Sequence, residues 1–362
     1  TRNVERFRMT DRAAVSVGNI KLKNPLICAS GEHVMDRNGI RAALNSGVAA
    51  VVAKSTNETV AAREQIKKAD YLLLDENWNA IAADGPSERA ATFICRSGLT
   101  PQSFEEWLAM VVEMDNEARA YDAYVIASIV LADLDAAVMM SQQIEQAGIR
   151  ILELNVGTPY GDEVENGCVP TERSSDRIET IVGTVRKAIK IPLWVKITGQ
   201  SEQVDQLVLA ARRAGADSVV APGRFMGMIP DLETQRPYLD TNVGVGGYWN
   251  LPLTCYWLAQ IYCALEDQYL DGQAAFPLVG TNGARSGEDV LRFLLAGASA
   301  VEMASAVLSD GTQVLSEAID RIEDYLQVND TQASRLIGKA AKVKKFAEMP
   351  DQNEPWKQFI RQ

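Results

Sequence analysis

The chain has 362 residues, of which 47% are hydrophobic, and its formal net charge is −12. A net negative charge argues against nucleic-acid binding, because that binding depends on lysine and arginine side chains that neutralise phosphates. The sequence contains no run of about 18 apolar residues, so it predicts no transmembrane helix.

The cysteines and the histidine argue against several kinds of metal site. The five cysteines are widely spaced without a CxxC pair, unlike the usual patterns of iron–sulfur clusters and structural zinc sites. His33 is the only histidine, which argues against a site built from several imidazoles. Unpaired thiols are typical of the reducing cytoplasm, where we expect the chain to be located.

Eight short apolar runs alternate with helical stretches, as in a parallel sheet that helices cover. In chain order the predicted strands are 25–30, 48–54, 124–130, 151–155, 192–197, 218–222, 277–280 and 300–303. Eight strands close a parallel barrel, so the sequence predicts an α/β fold of the (β/α)₈, or TIM-barrel, class. An open doubly wound sheet is the alternative, but the GxGxxG turn of many such sheets is absent.

The connections between these strands contain the predicted helices. Three of them begin at an Asp or Ser and end before a glycine: 133–147, 201–214 and 286–296. Two long insertions, 57–122 and 223–251, follow the second and sixth strands. Because no linker of low complexity interrupts the chain, we expect one domain over 1–362, with a barrel core at about 15–310 and C-terminal helices over 311–362.

Polar side chains stand where most of the predicted strands end. They are Ser30, Lys54 with Ser55, Ser128, Asn155, Lys196, Arg224 and Thr281-Asn282-Gly283. Because the carboxyl ends of barrel strands converge on one mouth, these residues predict a single polar pocket that holds an active site.

The last two predicted strands carry a further signal. A glycine-containing turn, Thr281-Asn282-Gly283, follows the seventh strand, and small residues follow the eighth. Barrels often bind a phosphate at this place through backbone N–H groups, and glycine lets the backbone approach the phosphate closely. The turn therefore indicates a phosphate site, with an ordinary tight βα turn as the alternative.

The order of these motifs resembles the dihydroorotate dehydrogenase family, which includes the pyrimidine-reducing part of dihydropyrimidine dehydrogenase. The similarity runs from about Val15 to Leu308 and rests on NPLICASG (24–31), VVAKST (51–56), ELNVGTP (153–159), LWVKIT (193–198), GADSVV (215–220), GVGG (244–247) and the segment 277–303. The resemblance implies an FMN-dependent oxidoreductase that moves a hydride between flavin N5 and a carbon of a cyclic small molecule. It also implies a homodimer and a separate electron-transfer protein.

The resemblance further implies which residues hold the flavin. The backbone of Ala29, Ser30 and Gly31 is expected to face the ring, and Lys196 is expected near its N1–O2 edge. Four residues are expected beside the ring, the ribityl chain or the substrate: Lys54, Ser55, Ser128 and Asn155. The phosphate is expected to be surrounded by Gly246, Gly247, Thr281, Asn282, Gly283, Ala304 and Ser305.

The residue that moves the proton departs from the family pattern. The family places a Cys or Ser three residues after the strand-four asparagine, and this chain has Thr158 there. A hydroxyl has a high pKa, so it needs a water relay or a nearby cation to accept a proton. We expect Thr158, Lys54 and Asn155 to be the catalytic residues, with Cys168 on the same loop as the alternative proton carrier.

The substrate loops depart further. The loop after strand two is Cys-Arg-Ser-Gly-Leu-Thr-Pro at 95–101, Gly-Arg stands at 223–224, and Tyr160 replaces an asparagine. Amides suit the donors and acceptors of a pyrimidine, whereas arginine suits a carboxylate or phosphate. We therefore expect a substrate other than dihydroorotate that is larger, aromatic or acidic. Its expected contacts are Arg96, Tyr160, Arg224 and His33.

Other functions stay open at this point. The chain as a true dihydroorotate or dihydropyrimidine dehydrogenase is the first alternative. A Schiff-base aldolase that uses Lys54 or Lys196 is a second, because such barrels also carry lysines at strand ends. A barrel that binds a flavin without catalysis is a third.

Overall fold

The computed structural model describes residues 12–82, 91–157, 172–268, 275–352, 354 and 356. At its start, β1 (Val15–Val17) and β2 (Ile20–Leu22) form an antiparallel hairpin. Within the described residues, no helix is long and apolar enough to cross a membrane.

Eight parallel strands close into a barrel, which confirms the predicted fold class. Each strand pairs with the next, and the last pairs with the first through Val301 and Leu26. In chain order they are β3 (Leu26–Cys28), β4 (Ala50–Val52), β8 (Tyr124–Val130), β9 (Leu152–Asn155), β10 (Leu193–Lys196), β11 (Ser218–Ala221), β14 (Leu278–Thr281) and β15 (Ala300–Met303). All eight lie where the apolar runs predict them.

Helices cover the barrel. The longer ones are α1 (Arg37–Asn45), α3 (Phe104–Ala118), α4 (Leu134–Gln146), α5 (Ser175–Ala188), α6 (Val204–Arg213), α7 (Leu251–Glu266), α8 (Gly287–Ala296) and α10 (Gln313–Val328), and the short ones are α2 (Val60–Gln65) and α9 (Ser305–Asp310). Side chains of Asp133 and Ser286 cap α4 and α8 as predicted. The predicted start of α6 at Ser201 is wrong: the helix begins at Val204, after Gln203, which makes no side-chain cap.

The two insertions together form a five-stranded antiparallel sheet, which the sequence analysis did not predict. Its strand order is β12 (Phe225–Gly227), β13 (Val243–Gly246), β7 (Thr92–Arg96), β5 (Asp70–Leu74) and β6 (Ala80–Ile81). The sheet joins the insertions because β13 of the second pairs with β7 of the first, Gly244 opposite Cys95. We call it the cap sheet.

Hydrogen bonds at the end of the second barrel strand fix the main chain at Lys54. The fully buried indole of Trp107, on α3, donates to the backbone oxygen of Lys54 at 2.8 Å. The backbone N–H of Lys54 in turn donates to Val34. The main chain at Lys54 is therefore held on both sides, which fixes the direction in which its side chain leaves the barrel.

Candidate active site

An open cleft lies between the carboxyl ends of the barrel strands and the cap sheet. The barrel strands and the turns that follow them contribute Ala29, Ser30, Gly31, Glu32, Lys54, Ser55, Asn155, Lys196, Arg224, Thr281, Asn282, Gly283, Ala284, Glu302, Ala304, Ser305 and Leu308. The cap sheet contributes Phe93, Cys95, Gly244, Val245 and Gly246. We call this space the cleft.

Lys54 is buried at one end of the cleft beside a carboxylate. Its Nζ lies 3.2 Å from Glu32 Oε1 and donates to Ser97 Oγ at 3.2 Å, while Ser97 donates to Glu32 at 2.5 Å. Burial lowers the pKa of Lys54, and Glu32 opposes that shift. Burial alone would raise the pKa of Glu32, but Lys54, Ser97 and Arg224 among others lower it to about 2. Glu32 is therefore an ionised acceptor that holds the Lys54 amine in place.

Lys196 lies in the barrel mouth between two buried glutamates. Its Nζ is 2.5 Å from Glu302 Oε2 and 3.4 Å from Glu153 Oε2. Burial works against the charged lysine, yet the two carboxyl groups raise its pKa above the ordinary value. Lys196 is therefore a permanent cation at the mouth.

A chain of hydroxyl groups joins the first strand to this lysine cluster. Ser30 Oγ lies 3.1 Å from Ser55 Oγ, which lies 2.8 Å from Ser128 Oγ. Ser128 donates to Glu153 Oε1 at 2.8 Å. Ser128 itself is fully buried and does not line the cleft, so it acts on the cleft only through its neighbours.

The turn after the seventh strand requires its glycine. Asn282 and Gly283 have φ of +79° and +108°, and a Cβ on Gly283 would lie 2.6 Å from the backbone nitrogen of Leu251. Asn282 is anchored on both sides: Asn250 donates to its Oδ1 at 3.0 Å, and Thr254 donates to its backbone oxygen at 2.6 Å. The turn therefore presents its backbone to the cleft in a fixed conformation.

A second glycine brings the cap sheet against the start of α9, which follows the eighth strand. A Cβ on Gly246 would lie 2.9 Å from Ser305 Cβ, so only glycine permits this approach. Gly247 does not line the cleft; a Cβ there would meet the indole of Trp249 at 3.0 Å. Gly246, the 281–283 turn and Ser305 thus form one wall of small residues.

Asn155 ends the fourth strand inside the cleft. Its Oδ1 accepts from the N–H of Gly157 at 3.0 Å, and this turns the chain away from the strand. The loop beyond it carries Thr158, Tyr160 and Cys168, which lie outside the described residues.

Two expected substrate contacts do not line the cleft. Arg96 points elsewhere: its guanidinium donates to the backbone oxygens of Lys68 and Leu239, each at 2.6 Å, and so ties the two insertions together. His33 packs behind Gly31, whose Cβ would lie 2.6 Å from the imidazole Cε1. Burial lowers the pKa of His33 to about 4, so the ring is neutral at neutral pH. Arg224 does line the cleft.

The acidic residues of the site are not among the residues that the sequence predicted. Glu32 stands next to His33 and two residues after Ser30, and its carboxylate is the partner of the buried Lys54. Glu153 and Glu302 carried a usable signal, since each is a charge in the middle of an apolar strand.

A closed parallel barrel with a polar cleft at the carboxyl ends of its strands is typical of barrel enzymes, which often bind a phosphate after the seventh and eighth strands. Comparison with known proteins narrows this class. The sequence model of the family described as dihydroorotate dehydrogenase matches residues 12–326, and the chain belongs to that family. It is therefore an oxidoreductase of the class that acts on CH–CH groups.

Curated relatives extend over most of the chain. One, "Dihydroorotate dehydrogenase B (NAD(+)), catalytic subunit" of Methanocaldococcus jannaschii, is 23% identical over 332 residues, which cover 90% of this chain and 97% of the relative. The protein of the same name from Pyrococcus horikoshii is 29% identical over 335 residues, covering 91% and 98%. The expectation that dihydroorotate is not the substrate receives no support from these relatives.

Proposed function

We propose that the chain binds FMN in the cleft and moves a hydride between the flavin and dihydroorotate. The observation that carries the proposal is the pair of buried lysines, Lys54 and Lys196, which face one cleft beside the 281–283 turn. Membership of the dihydroorotate dehydrogenase family supports the same reaction. Bound flavin supplies the hydride chemistry, and the protein supplies binding, orientation and charge.

The wall of small residues fits the phosphate of FMN. Gly283 and Gly246 stand where side chains would collide with neighbouring backbone or with Ser305, so backbone groups line this part of the cleft. We assign the phosphate to this wall, together with Gly247, Thr281, Asn282 and Ala304. Such backbone N–H groups suit an anion.

We assign the polar residues at the strand ends to the flavin ring. We assign Ala29, Ser30 and Gly31 to the face of the flavin ring, and Lys196 to the edge that becomes negative. A fixed cation at that edge stabilises the developing charge without reorganisation. Ser55, Ser128 and Asn155 complete this side, since hydrogen bonds link the serines to the Lys196 cluster.

Dihydroorotate suits the charges of the cleft even though the asparagines of the family are missing. Its ring carries a carboxylate, which a guanidinium binds well, and Arg224 lines the cleft near Glu32 and Lys54. Its ring N–H groups are donors, and the ionised Glu32 is an acceptor. Arg224 and Glu32 therefore replace amides by charged groups of matching chemistry. Tyr160 is kept as a proposed contact on sequence grounds.

A larger substrate is a second candidate, because a second cavity adjoins the cleft. This cavity, of about 350 Å³, shares Glu32, Phe93 and Leu308 with the cleft and is otherwise lined mainly by apolar side chains such as Leu73 and Ile81. A ring with an apolar substituent would extend into it.

We assign the proton transfer to Thr158, which follows Asn155 by three residues, with Cys168 as the alternative. The relatives are named catalytic subunits, so we also propose a separate electron-transfer protein as partner. A homodimer and a cytoplasmic location remain part of the proposal; the four described cysteines are free thiols, in keeping with that location.

The test is anaerobic flavin reduction. Purified protein is expected to contain or take up one FMN per chain, and dihydroorotate is expected to bleach the flavin. Dihydrouracil, the same ring without the carboxylate, is the matched control and is expected to react poorly. Protein that cannot bind FMN contradicts the cofactor assignment. Bound FMN that an aryl-substituted dihydropyrimidine reduces, but dihydroorotate does not, favours the second candidate.

A further inference from the structure

The charged cluster around Lys196 contains more acid than base. Lys196 faces Glu153 and Glu302, whose side chains are both completely buried, while Lys196 itself is 13% exposed. If both carboxyl groups were ionised, one buried negative charge would have no counterion inside the cluster. Such a charge is costly in a protein interior, so a proton on one carboxyl group is favoured.

The hydrogen bonds identify Glu302 as the carboxyl group that holds the proton. Both oxygens of Glu153 have a donor: Oε1 accepts from Ser128 and Oε2 faces Lys196. Glu302 accepts from Lys196 through Oε2, but its Oε1 is buried without a hydrogen-bond partner among the described residues. A proton on the Glu302 carboxyl group, which also lies within hydrogen-bonding reach of the Glu153 carboxylate, leaves one cation and one anion in the cluster.

The groups that face Glu302 from neighbouring strands agree with this assignment. Burial raises the pKa of Glu302 to about 8, Lys196 acts in the opposite direction, and Glu153 raises it further. Cys28, on β3, also faces Glu302, but burial raises the pKa of its thiol, which therefore stays neutral. At neutral pH the cluster thus holds a charged Lys196 and a protonated Glu302.

A path connects the cluster to solvent. Hydrogen bonds link Glu153 to Ser128, Ser128 to Ser55, and Ser55 to Ser30. Ser30 and Ser55 line the cleft, whereas Ser128 is fully buried. Hydroxyl groups accept and donate at once, so this row can pass a proton between the cleft and the buried carboxyl groups.

We propose that Glu302 is a positioning residue that keeps one exchangeable proton beneath Lys196 and thereby couples the charge of the cluster to that of the flavin. The proposal rests on the proposed function, because the flavin is the group that it serves. When the ring gains negative charge, a proton from solvent binds a Glu302 oxygen in the molecules where that carboxyl group is ionised. The hydride comes from the substrate, so no other reductant is needed.

The first test uses protein without FMN. Infrared difference spectra between about pH 6 and about pH 10 report carboxyl groups that ionise in this range. The wild type is expected to lose the carbonyl band of a protonated carboxyl group with a midpoint near the pKa of about 8. Glu302→Gln is expected to lack this band.

Glu323→Gln is the matched control. Burial also raises the pKa of Glu323, and its Oε1 also lacks a partner among the described residues, but it belongs to α10 and does not line the cleft. This variant is expected to keep the band of Glu302.

The second test measures the reduction potential of bound FMN against pH. In the wild type and in Glu323→Gln, the potential is expected to fall more steeply with pH around the pKa of Glu302 than in Glu302→Gln. A residue with a purely structural role would move the potential without changing this slope.

Other outcomes are decisive as well. If Glu302→Gln does not fold, Glu153→Gln is expected to lower the midpoint of the band, because Glu153 raises the pKa of Glu302. A wild type without the band, or a band and slope that neither variant changes, overturns the proposal. Failure to bind FMN would count against the proposed function alone, since the infrared test needs no flavin.

Discussion

At the scale of single residues, the two lysines of the cleft are held in different ways. Lys54 has one carboxylate partner, Glu32, together with the hydroxyl of Ser97. Lys196 has two carboxyl partners on opposite strands of the barrel. The first arrangement is an ion pair, whereas the second holds the proton that we propose on Glu302, so the second makes stability and charge depend on pH.

Lys196→Met tests how the free energy of unfolding depends on pH. Removing one partner of a buried pair costs about 3–5 kcal/mol, and we expect that loss at neutral and alkaline pH. The pKa of Glu302 is raised, so its contribution to stability is complete below its ordinary value of 4.5 and is lost as pH rises to about 8. Without Lys196 this pKa rises further, so the deficit should be constant up to about pH 8 and grow above it. Urea unfolding of the FMN-free protein measures it.

Lys187→Met, at an exposed position on α5, is the control for that experiment. Its deficit is expected to be small at every pH. A deficit in Lys196→Met that stays constant with pH would contradict the assigned proton.

Thr158→Val tests the proposed proton transfer. Loss of the hydroxyl is expected to reduce turnover by about 10²–10⁴-fold, the usual scale of general acid–base catalysis, without loss of FMN. Thr158→Ser keeps the hydroxyl and is expected to retain much of the activity. Flavin reduction by Thr158→Val at the wild-type rate, followed by stopped flow, would point to Cys168 instead.

At the scale of elements, the turn after β14 combines an unusual backbone with a close contact. Gly283→Ala is expected to destabilise the protein by about 1–2 kcal/mol through its positive φ, and further through the clash with Leu251. It is also expected to weaken FMN binding, measured by fluorescence titration. Gly148→Ala is the control, because Gly148 has φ of +85° with no atom near its Cβ and lies at the end of α4. Equal loss of FMN affinity in both variants would mean that the phosphate does not bind at this turn.

The cap sheet gives a second prediction at this scale. Arg96→Ala removes the donors that bind Lys68 and Leu239, so amide hydrogen exchange is expected to quicken in β5, β7 and β13. The control Arg236→Ala changes an exposed arginine of the second insertion and is expected to leave exchange in β7 unchanged. A higher KM in Arg96→Ala without faster amide exchange would mean that Arg96 contacts the substrate and does not stabilise the cap sheet.

At the scale of the whole molecule, the sequence predicted the barrel better than the cap. Strands such as β4 are continuous apolar runs between helices, a pattern that parallel strands require. The cap strands pair across long gaps in sequence: Gly244 meets Cys95, and no local period records that contact. For the same reason, motifs at strand ends located Lys54 and Lys196. Glu153 and Glu302 stand out as charges in apolar strands, but their pairing with Lys196, like that of Glu32 with Lys54, follows from distances that only the fold supplies.

Because barrel strands and cap sheet both line the cleft, a ligand bound there stabilises the two together. A ligand that binds only the folded state adds about 2.7 kcal/mol at a free concentration 100 times its Kd. FMN is therefore expected to raise the Tm in a concentration-dependent manner while unfolding remains a single transition, as followed by calorimetry.

Riboflavin is the matched ligand for this experiment, since it keeps the ring and the ribityl chain but lacks the phosphate. If Gly246, the 281–283 turn and Ser305 hold the phosphate, riboflavin must raise the Tm less than FMN at equal free concentration. Equal shifts from the two ligands would mean that the ring and the ribityl chain provide the affinity without the phosphate. A first transition that FMN leaves in place would mean that the cap sheet unfolds independently of the cleft, even though Gly244, Val245 and Gly246 form part of its wall.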